Sequence, residues 1–123
     1  AYAGLVSCLA AEWQYACQGG VTAGAYCGGD DISELGWYWN NSPSPKKTHP
    51  IGGKRPNGYG LFDMTGNVAE WTEDCWNGDC AKRTVRGGAF CSFQDGALAD
   101  FKYGQALDYH DECTGLRVAH DLN

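Results

Sequence analysis

Cysteine is the residue type with the most chemical potential in this chain of 123 residues. There are seven cysteines, an odd number, so at least one thiol is free or pairs with another chain. Cys75 and Cys80 flank a Trp-Asn-Gly-Asp turn, where they either form a short-loop disulfide or remain separate thiols. No Cys-x-x-Cys pair occurs, which argues against a structural zinc site. The string His110-Asp111-Glu112-Cys113 has residue types that bind metals. The sequence offers no second group of ligands to complete a site, so we interpret the string as solvated surface.

The charge balance excludes one large class of partners. The net charge is −6 and the isoelectric point is about 4.8. Nucleic-acid binding requires clustered Lys and Arg, which this chain lacks, so we expect no nucleic-acid partner. No apolar run approaches the roughly 20 residues that span a bilayer, so we expect no membrane insertion.

One helix is predicted near the start of the chain, over residues 9–18. Ser7 is a candidate N-terminal cap, and the glycines at 19–20 are a stop signal. The helix would bury a stripe of apolar residues at four-residue spacing, namely Leu9, Trp13 and Cys17.

Three strands are predicted later in the chain. Residues 68–76 form the first, and residues 83–90 form the second, in which Gly87-Gly88 indicates a bulge or a close backbone approach. A third strand follows from the period-two alternation of its apolar face, which would carry Leu116, Val118, His120 and Leu122. On that face His120 is expected to be a core histidine rather than a metal ligand.

Two irregular segments are rich in aromatic residues. Residues 21–56 form a turn-rich loop whose Trp37, Tyr38 and Trp39 either pin it to the core or line a ligand groove. Residues 90–115 have no clear period and interleave aromatics with Asp and Gly. That composition is typical of a recognition surface, or of an irregular loop whose aromatics pack inward.

Five short motifs give the chain a family resemblance. In chain order they are AEWQYA at 11–16, HPIG with RPN at 49–57, GYGLFDMTGNVAEW at 58–71, RGGAF at 86–90 and GLRVA at 115–119. Together they resemble the formylglycine-generating-enzyme (sulfatase-modifying-factor) family. The resemblance implies an α+β, C-type-lectin-type fold with a small twisted antiparallel sheet, few helices and much loop. It implies a single domain over residues 1–123. The chain begins almost at the helix that carries Glu12 and Trp13, so either the family's usual N-terminal strand and helix are absent or the chain is part of a longer protein.

The resemblance also bears on catalysis. Family oxidases use a cysteine pair that binds copper(I), since a soft metal needs soft thiolate ligands held close together. Cys91 directly follows Phe90, one position early, and no further cysteine occurs before Cys113. A one-residue shift turns a strand side chain to the other face. We therefore expect no copper and no enzymatic activity.

A second metal site of the family has a match. An Asp or Asn, two backbone carbonyls and a Glu hold calcium in the family motif, and the matching positions are Asp63, Gly66, Val68 and Glu70. Carboxylates with carbonyl oxygens suit a hard cation. The alternative is that Asp63 and Glu70 accept hydrogen bonds from the turn. Calcium is thus an expected but not required cofactor.

The same motifs occur in variable proteins of diversity-generating retroelements, in which an error-prone reverse transcriptase rewrites adenines of one cassette. Here the cassette corresponds to residues 86–117, which hold no Asn and no Arg between the two terminal arginines. Positions not reachable from a randomised Asn codon are expected to be fixed: Gln94, Lys102, Gln105 and Glu112. The candidate variable, ligand-binding positions are Cys91, Ser92, Phe93, Asp95, Gly96, Phe101, Tyr103, Tyr109, His110 and Asp111.

The expected function is therefore non-catalytic binding through a sequence-variable surface. The ligand would be a protein or a glycan on another cell or particle, and the resemblance favours display on a virion or a cell surface. The alternatives are a binding module of fixed specificity and a divergent oxidase that uses Cys91 alone. We expect Trp71→Ala to unfold the domain and Tyr103→Ala to leave its melting temperature nearly unchanged. The sequence leaves the oligomeric state open.

Overall fold

A computed structural model describes residues 6–20 and 24–119 of the chain. The elements in chain order are β1 (Val6–Ser7), α1 (Ala10–Gln18), α2 (Ile32–Leu35), β2 (Ala69–Trp76), β3 (Asp79–Arg86), a 3-10 turn (Gln94–Ala97), β4 (Lys102–Ala106), β5 (Thr114–Leu116) and β6 (Val118–Ala119). The rest of the described chain is loop. The α+β, loop-rich class predicted from the sequence is confirmed.

The main sheet has four strands in the order β4-β3-β2-β5, and β1 pairs with β6 in a separate two-stranded sheet. β2, β3 and β4 are antiparallel neighbours, whereas β5 runs parallel to β2. The sheet is therefore mixed: β2, β3 and β4 are antiparallel as predicted, and β5 adds a parallel strand that the prediction did not include. β5 lies parallel to β2 because residues 107–113 carry the chain from β4 at one edge of the sheet to β5 at the other, a crossover that a tight hairpin does not permit.

Helix α1 contacts the sheet through Trp13, which lies against Glu70 of β2 and Arg86 of β3, and it also buries Cys17. Leu9 is 47% exposed, so it does not belong to the buried stripe that the spacing predicted. Leu9, not Ser7, is the N-cap residue, and its N–H donates to Glu12 Oε1 at 2.8 Å. Gly19 ends the helix in the left-handed conformation, as predicted. A disulfide from Cys17 to Cys27 fixes the helix to the following loop.

The β2–β3 hairpin turns at Asn77 and Gly78, which both have positive φ. That conformation suits the right-handed twist of a two-residue hairpin. Cys75 and Cys80 form a disulfide across this turn, the first of the two alternatives left by the sequence. Cys8 is buried and is the one free thiol among the described cysteines.

β3 ends at Arg86, earlier than the predicted residue 90. Gly87 and Gly88 follow the strand with φ of 98° and 70°, so they end it rather than forming a bulge within it. A Cβ on Gly88 would lie 2.7 Å from Ala97 Cα, which confirms the close backbone approach. The irregular register lies instead in β2, between Trp71 and Cys75.

The predicted C-terminal strand is divided into β5 and β6. Leu116 is 60% exposed and Val118 is 51% exposed, so their face is not buried against the part of the protein described here. Period-two alternation therefore predicted the extended conformation correctly and the buried face wrongly. His120 and Leu122 lie outside the described residues.

Candidate ligand-binding surface

A buried ion pair supports the base of the sheet. Arg117 donates from Nε and from one terminal nitrogen to the Glu70 carboxylate, at 2.8–3.1 Å, and that terminal nitrogen also donates to the Phe62 carbonyl. The indole N–H of Trp13 donates to Glu70 Oε2 at 2.7 Å. Burial alone would lower the pKa of Arg117, but the bonds to the carboxylate outweigh it and raise that pKa. The two motifs that contain Glu70 and Arg117 are thus held together.

Asn67 performs a similar role in the loops. Its side chain accepts from the His49 N–H at 2.9 Å and donates to the His49 carbonyl at 3.1 Å. Its backbone N–H donates to the Trp37 carbonyl, and its carbonyl accepts from the Phe90 N–H. One motif residue therefore positions three distant segments, including the start of the candidate variable segment.

The four predicted calcium ligands lie around this support. Asp63 Oδ2 accepts from the Gly52 N–H at 2.9 Å, while Asp63 Oδ1 is buried without a hydrogen-bond partner. Gly66 donates its N–H to the Gly87 carbonyl, and Val68 packs beside Gly115. Glu70 is fully engaged by side-chain donors, so only Asp63 keeps a free carboxylate oxygen. This set does not offer the two available carboxylates that the family site would use, and calcium binding stays a prediction.

Six of the ten predicted binding residues are exposed: Phe93, Asp95, Phe101, Tyr109, His110 and Asp111. The remaining four are half-buried: Cys91, Ser92, Gly96 and Tyr103. Of the positions expected to be fixed, Gln94, Lys102 and Glu112 are exposed and Gln105 is half-buried. Exposure therefore does not separate the predicted variable positions from the predicted fixed ones.

One group of predicted residues lies at the β4 edge of the sheet. The rings of Phe101 and Tyr103 are 6.1 Å apart, and the Tyr109 hydroxyl donates to Asp111 Oδ2 at 2.9 Å. Asp111 Oδ1 accepts from the Cys113 N–H at 3.0 Å, which fixes the carboxylate. Burial, opposed by a hydrogen bond with Thr114, raises the pKa of Tyr103. The hydroxyl of Tyr103 therefore stays protonated near neutral pH.

A second group lies beside the loop that carries Trp39. The Phe93 ring is 5.9 Å from the Trp39 ring, and the Trp39 N–H donates to the Ser92 carbonyl at 2.9 Å. Lys46 lies over the other part of the Trp39 ring, 4.5 Å from its centre. Ser92 Oγ accepts from the Ala89 N–H, so Ser92 supports the turn as well as facing solvent. Trp39 was not among the predicted site residues, although lining a ligand groove was one of the two alternatives that the sequence left open for this loop.

The neighbouring Trp37 has the opposite role. Its ring stacks on His49 at 3.8 Å, and Lys54 lies 4.1 Å above it. Trp37 thus pins the loop and Trp39 faces the surface, so the two alternatives for these aromatics apply to different residues.

A disulfide joins the two groups. Cys91 and Cys113 are bonded, although 22 positions separate them in the chain. Cys91 was predicted to be a binding position, and the structure corrects this to a half-buried structural role against the cluster of Ala69, Val85 and Ala89. Phe93 lies two residues beyond one sulfur and Asp111 two residues before the other. The disulfide joins the chain segments that carry the two groups, whose five aromatic residues are here together called the aromatic surface: Trp39, Phe93, Phe101, Tyr103 and Tyr109.

The aromatic surface is mainly solvent-exposed, with Tyr103 half-buried. Two clefts of about 430 and 460 Å³ in the described part of the chain lie away from it. The first lies between α1 and the loop that contains Tyr26, and the second is lined by Ile51, Phe62, Asp63 and Arg117. None of the ten predicted positions lines either cleft. Within residues 6–20 and 24–119, no helix has the length and apolar character needed to cross a membrane.

Tyr103 and Trp71 are in the same environment. Both are half-buried and pack on the same cluster of Ala69, Val85 and Ala89. Val85 lies between them in the sheet, because it pairs with Trp71 of β2 on one side and with Tyr103 of β4 on the other. The predicted contrast, in which Trp71 alone is structural, therefore needs correction, because Tyr103 also contributes packing.

Comparison with known proteins identifies the family. Residues 1–122 match the Sulfatase-modifying factor enzyme 1-like domain. The chain is 35% identical over 78 residues to the formylglycine-generating enzyme of Mus musculus, covering 54% of this chain and 21% of that enzyme. It is also 28% identical over 131 residues to the serine/threonine-protein kinase pkn1 of Chlamydia pneumoniae, covering 92% of this chain and 20% of that protein.

Solved structures agree with this. Treponema denticola variable protein 1 superimposes with a TM-score of 0.87 at 30% identity, over 95% of this chain and 48% of that chain. PvdO from Pseudomonas aeruginosa superimposes with a TM-score of 0.85 at 27% identity, over 96% of this chain and 53% of that chain. The chain spans about half the length of these structures and a fifth of the curated relatives named above. By the match over nearly its whole length, the chain belongs to the Sulfatase-modifying factor enzyme 1-like domain family.

Proposed function

We propose that this domain is a non-catalytic binding protein whose ligand contacts the aromatic surface, and that a retroelement diversifies this surface. The observation that carries the proposal is the concentration of exposed aromatic and acidic side chains between Cys91 and Cys113, closed at both ends by one disulfide. Aromatic side chains give large contact area for little loss of conformational entropy. The similarity to Treponema denticola variable protein 1 supports a sequence-variable protein.

The form of the surface favours a macromolecular ligand. Small-molecule sites are generally concave and bury most of the ligand, whereas the aromatic surface lies outside both clefts. A protein or glycan on another cell or particle can cover a flat face of this kind. Display on a virion or cell surface is consistent with the three disulfides among the described residues, because disulfides persist in oxidising surroundings.

Sequencing the gene from many sibling isolates tests the proposal. We expect substitutions confined to the interval 91–113 that spare Gln94, Lys102, Gln105 and Glu112, and also Cys91 and Cys113 because their disulfide is structural. The framework residues Asn67, Glu70 and Arg117 should be invariant, since each holds several partners. An interval that never varies would refute diversification and leave a binding module of fixed specificity, for which a glycan array is the next measurement.

The face itself is tested by substitution. Phe93 is 64% exposed and touches Trp39, so Phe93→Ala should change the free energy of unfolding by no more than about 0.5 kcal/mol and weaken ligand binding strongly. Tyr15→Ala, at a 67% exposed position on α1, is the matched control and should change neither. Equal loss of binding in both variants would place the ligand elsewhere.

One observation favours a second candidate function. Cys91 and Cys113 lie close enough to bond, so the reduced protein would present two soft thiolates in one place, which the spacing in the sequence did not indicate. A divergent copper oxidase could use such a pair rather than Cys91 alone. Oxygen uptake by the reduced protein with copper(I) and a cysteine-containing peptide distinguishes the functions. Turnover that is lost in Cys113→Ser would establish the oxidase, and its absence with intact folding would leave the binding function.

Calcium is proposed only as a structural ligand near Asp63. Asp63 Oδ1 is buried and lacks a hydrogen-bond partner, while the charge of Glu70 is balanced by its ion pair with Arg117. If calcium binds, adding it should raise the melting temperature of the domain and not that of Asp63→Asn. An unchanged melting temperature in both proteins would remove calcium from the description.

A further inference from the structure

We infer that the partner presents a basic protein surface, rich in Arg and Lys, to the aromatic surface. This inference rests on the proposed function and specifies its ligand. It begins from charge. Between Arg86 and Arg117 the chain carries five acidic residues and a single basic one, and all are exposed: Asp95, Asp100, Asp108, Asp111, Glu112 and Lys102. The segment therefore carries a net negative charge, and Asp111 lies directly beside Tyr103 and Tyr109.

The geometry combines two modes of cation recognition at one place. Tyr103 and Tyr109 both lie near Asp111, which contributes to the pKa of each hydroxyl. The Tyr109 hydroxyl and the Cys113 N–H hold the Asp111 carboxylate in a fixed position. Phe101 extends this group of rings towards the sheet edge. A guanidinium or ammonium group is attracted by ring faces and by a carboxylate, and Arg forms both interactions best.

The protein already contains the same kind of contact within its own fold. The Arg86 guanidinium lies over the Trp13 ring at 4.8 Å, and Lys46 and Lys54 lie over Trp39 and Trp37. Each cation in these pairs also donates to a backbone carbonyl. At Phe101, Tyr103 and Tyr109 no cation of the described chain is paired with a ring. A cation supplied by a partner would complete the same arrangement there.

The experiment measures binding of an octa-arginine peptide to the full chain by calorimetry, with an octa-glutamate peptide and a neutral oligosaccharide as comparison probes. The test variant is Asp108→Asn with Asp111→Asn. The Asn at 111 can still accept from the Cys113 N–H, so folding is retained. The control variant removes the same charge at exposed positions away from the surface, by Glu73→Gln with Asp79→Asn. Melting temperatures of all three proteins check the fold.

We expect octa-arginine to bind, and to bind less tightly as ionic strength rises from about 0.01 to about 0.15 M. The test variant should weaken binding roughly tenfold, from two lost exposed charge pairs, and the control by less than about twofold. Tyr109→Leu should weaken binding in the same direction, because it removes ring electrons and the hydroxyl without removing charge. No peptide binding, or equal weakening by test and control variants, overturns the inference.

The remaining outcomes separate this inference from the function on which it rests. Binding of the oligosaccharide but not of the peptide would replace a basic protein by a glycan as the partner, and overturn the inference alone. Variation among siblings with no peptide binding would also leave the binding function in place. An invariant interval would refute diversification whether or not the peptide binds.

Discussion

The sheet and its surroundings contain two regions that are built on opposite principles. Around Asn67 and Glu70, polar side chains are buried and each satisfies several distant partners. Between residues 91 and 113, large side chains face solvent, and few of them hold other segments in place. Under the proposed function, the fold would keep its structure while its surface changes, because the hydrogen bonds of Asn67 and Glu70 lie outside the candidate variable segment.

The disulfides also differ between these two regions. Cys17–Cys27 and Cys75–Cys80 each close a short local loop, with separations of 10 and 5 residues. Cys91–Cys113 closes the segment that carries the aromatic surface, over 22 residues. That one bridge therefore connects both ends of the candidate variable segment to the buried cluster of Ala69, Val85 and Ala89.

The largest effect should come from breaking the buried ion pair. Glu70→Ala removes the acceptor of Trp13 and leaves the half-buried Arg117 without its counter-charge, which costs about 3–5 kcal/mol. We expect the melting temperature to fall by roughly 10 °C or more, or the domain to be unfolded at room temperature. Calorimetry measures the change, and Glu73→Ala at an exposed position of the same strand is the control. If the melting temperature fell by a similar small amount in both variants, the stability of the fold would not depend on Glu70.

Removing the disulfides should give the next largest effects. In the loop-entropy treatment, the 22-residue closure of Cys91–Cys113 is worth about 3 kcal/mol and the 5-residue closure of Cys75–Cys80 about 2 kcal/mol. Denaturant titration of the Cys91→Ser/Cys113→Ser and Cys75→Ser/Cys80→Ser proteins checks these values. Only the first pair should also lose ligand binding. Loss of binding in the second pair would contradict the assignment of the binding face.

Trp71 and Tyr103 lie on either side of Val85, so substitutions at these two positions test whether packing is confined to the framework. Trp71→Ala should cost about 3 kcal/mol and Tyr103→Ala about 1–2 kcal/mol, because both side chains are half-buried and the indole is larger. Tyr103→Phe is the control, since it retains the packing and removes only the hydroxyl. A melting temperature for Tyr103→Ala that equals the unmodified protein would restore the view that this residue serves binding alone.

The smallest effect concerns pH and the loop behind Trp37. Burial, together with the positive charges of Lys47 and Lys54, lowers the pKa of His49 below its ordinary value of 6.5. The unfolded chain then binds the proton more readily, so stability is complete above pH 6.5 and is lost as pH falls through the lowered value. The melting temperature should be measured above pH 6.5 and again below the lowered pKa. The fall between these two pH values should be larger in the unmodified protein than in His49→Gln, by at most a few degrees. His110→Gln, at an exposed position, should retain the full difference.

Local signals predicted the local structure well. The helix at Trp13, the turn at Asn77-Gly78 and the first strand were all found from spacing and turn chemistry, because each depends on neighbours in the chain. The sequence motifs also indicated the family, which the match over residues 1–122 confirms. The end of β3 was misplaced because Gly87 and Gly88 have two possible roles, and only contact with Trp13 and Ala97 distinguishes them.

What the sequence determined by itself was the class of fold, the family and the interval in which the surface residues lie, since periodicity, turn residues and motif order are properties of the chain. Only the tertiary structure decided that Cys91 bonds Cys113, that Glu70 is neutralised by Arg117, and that Trp39 belongs to the same face as Phe93. The physical reason is separation along the chain. These partners lie 22, 47 and 54 residues apart, and no local pattern records which distant residue a folded chain brings to a given side chain.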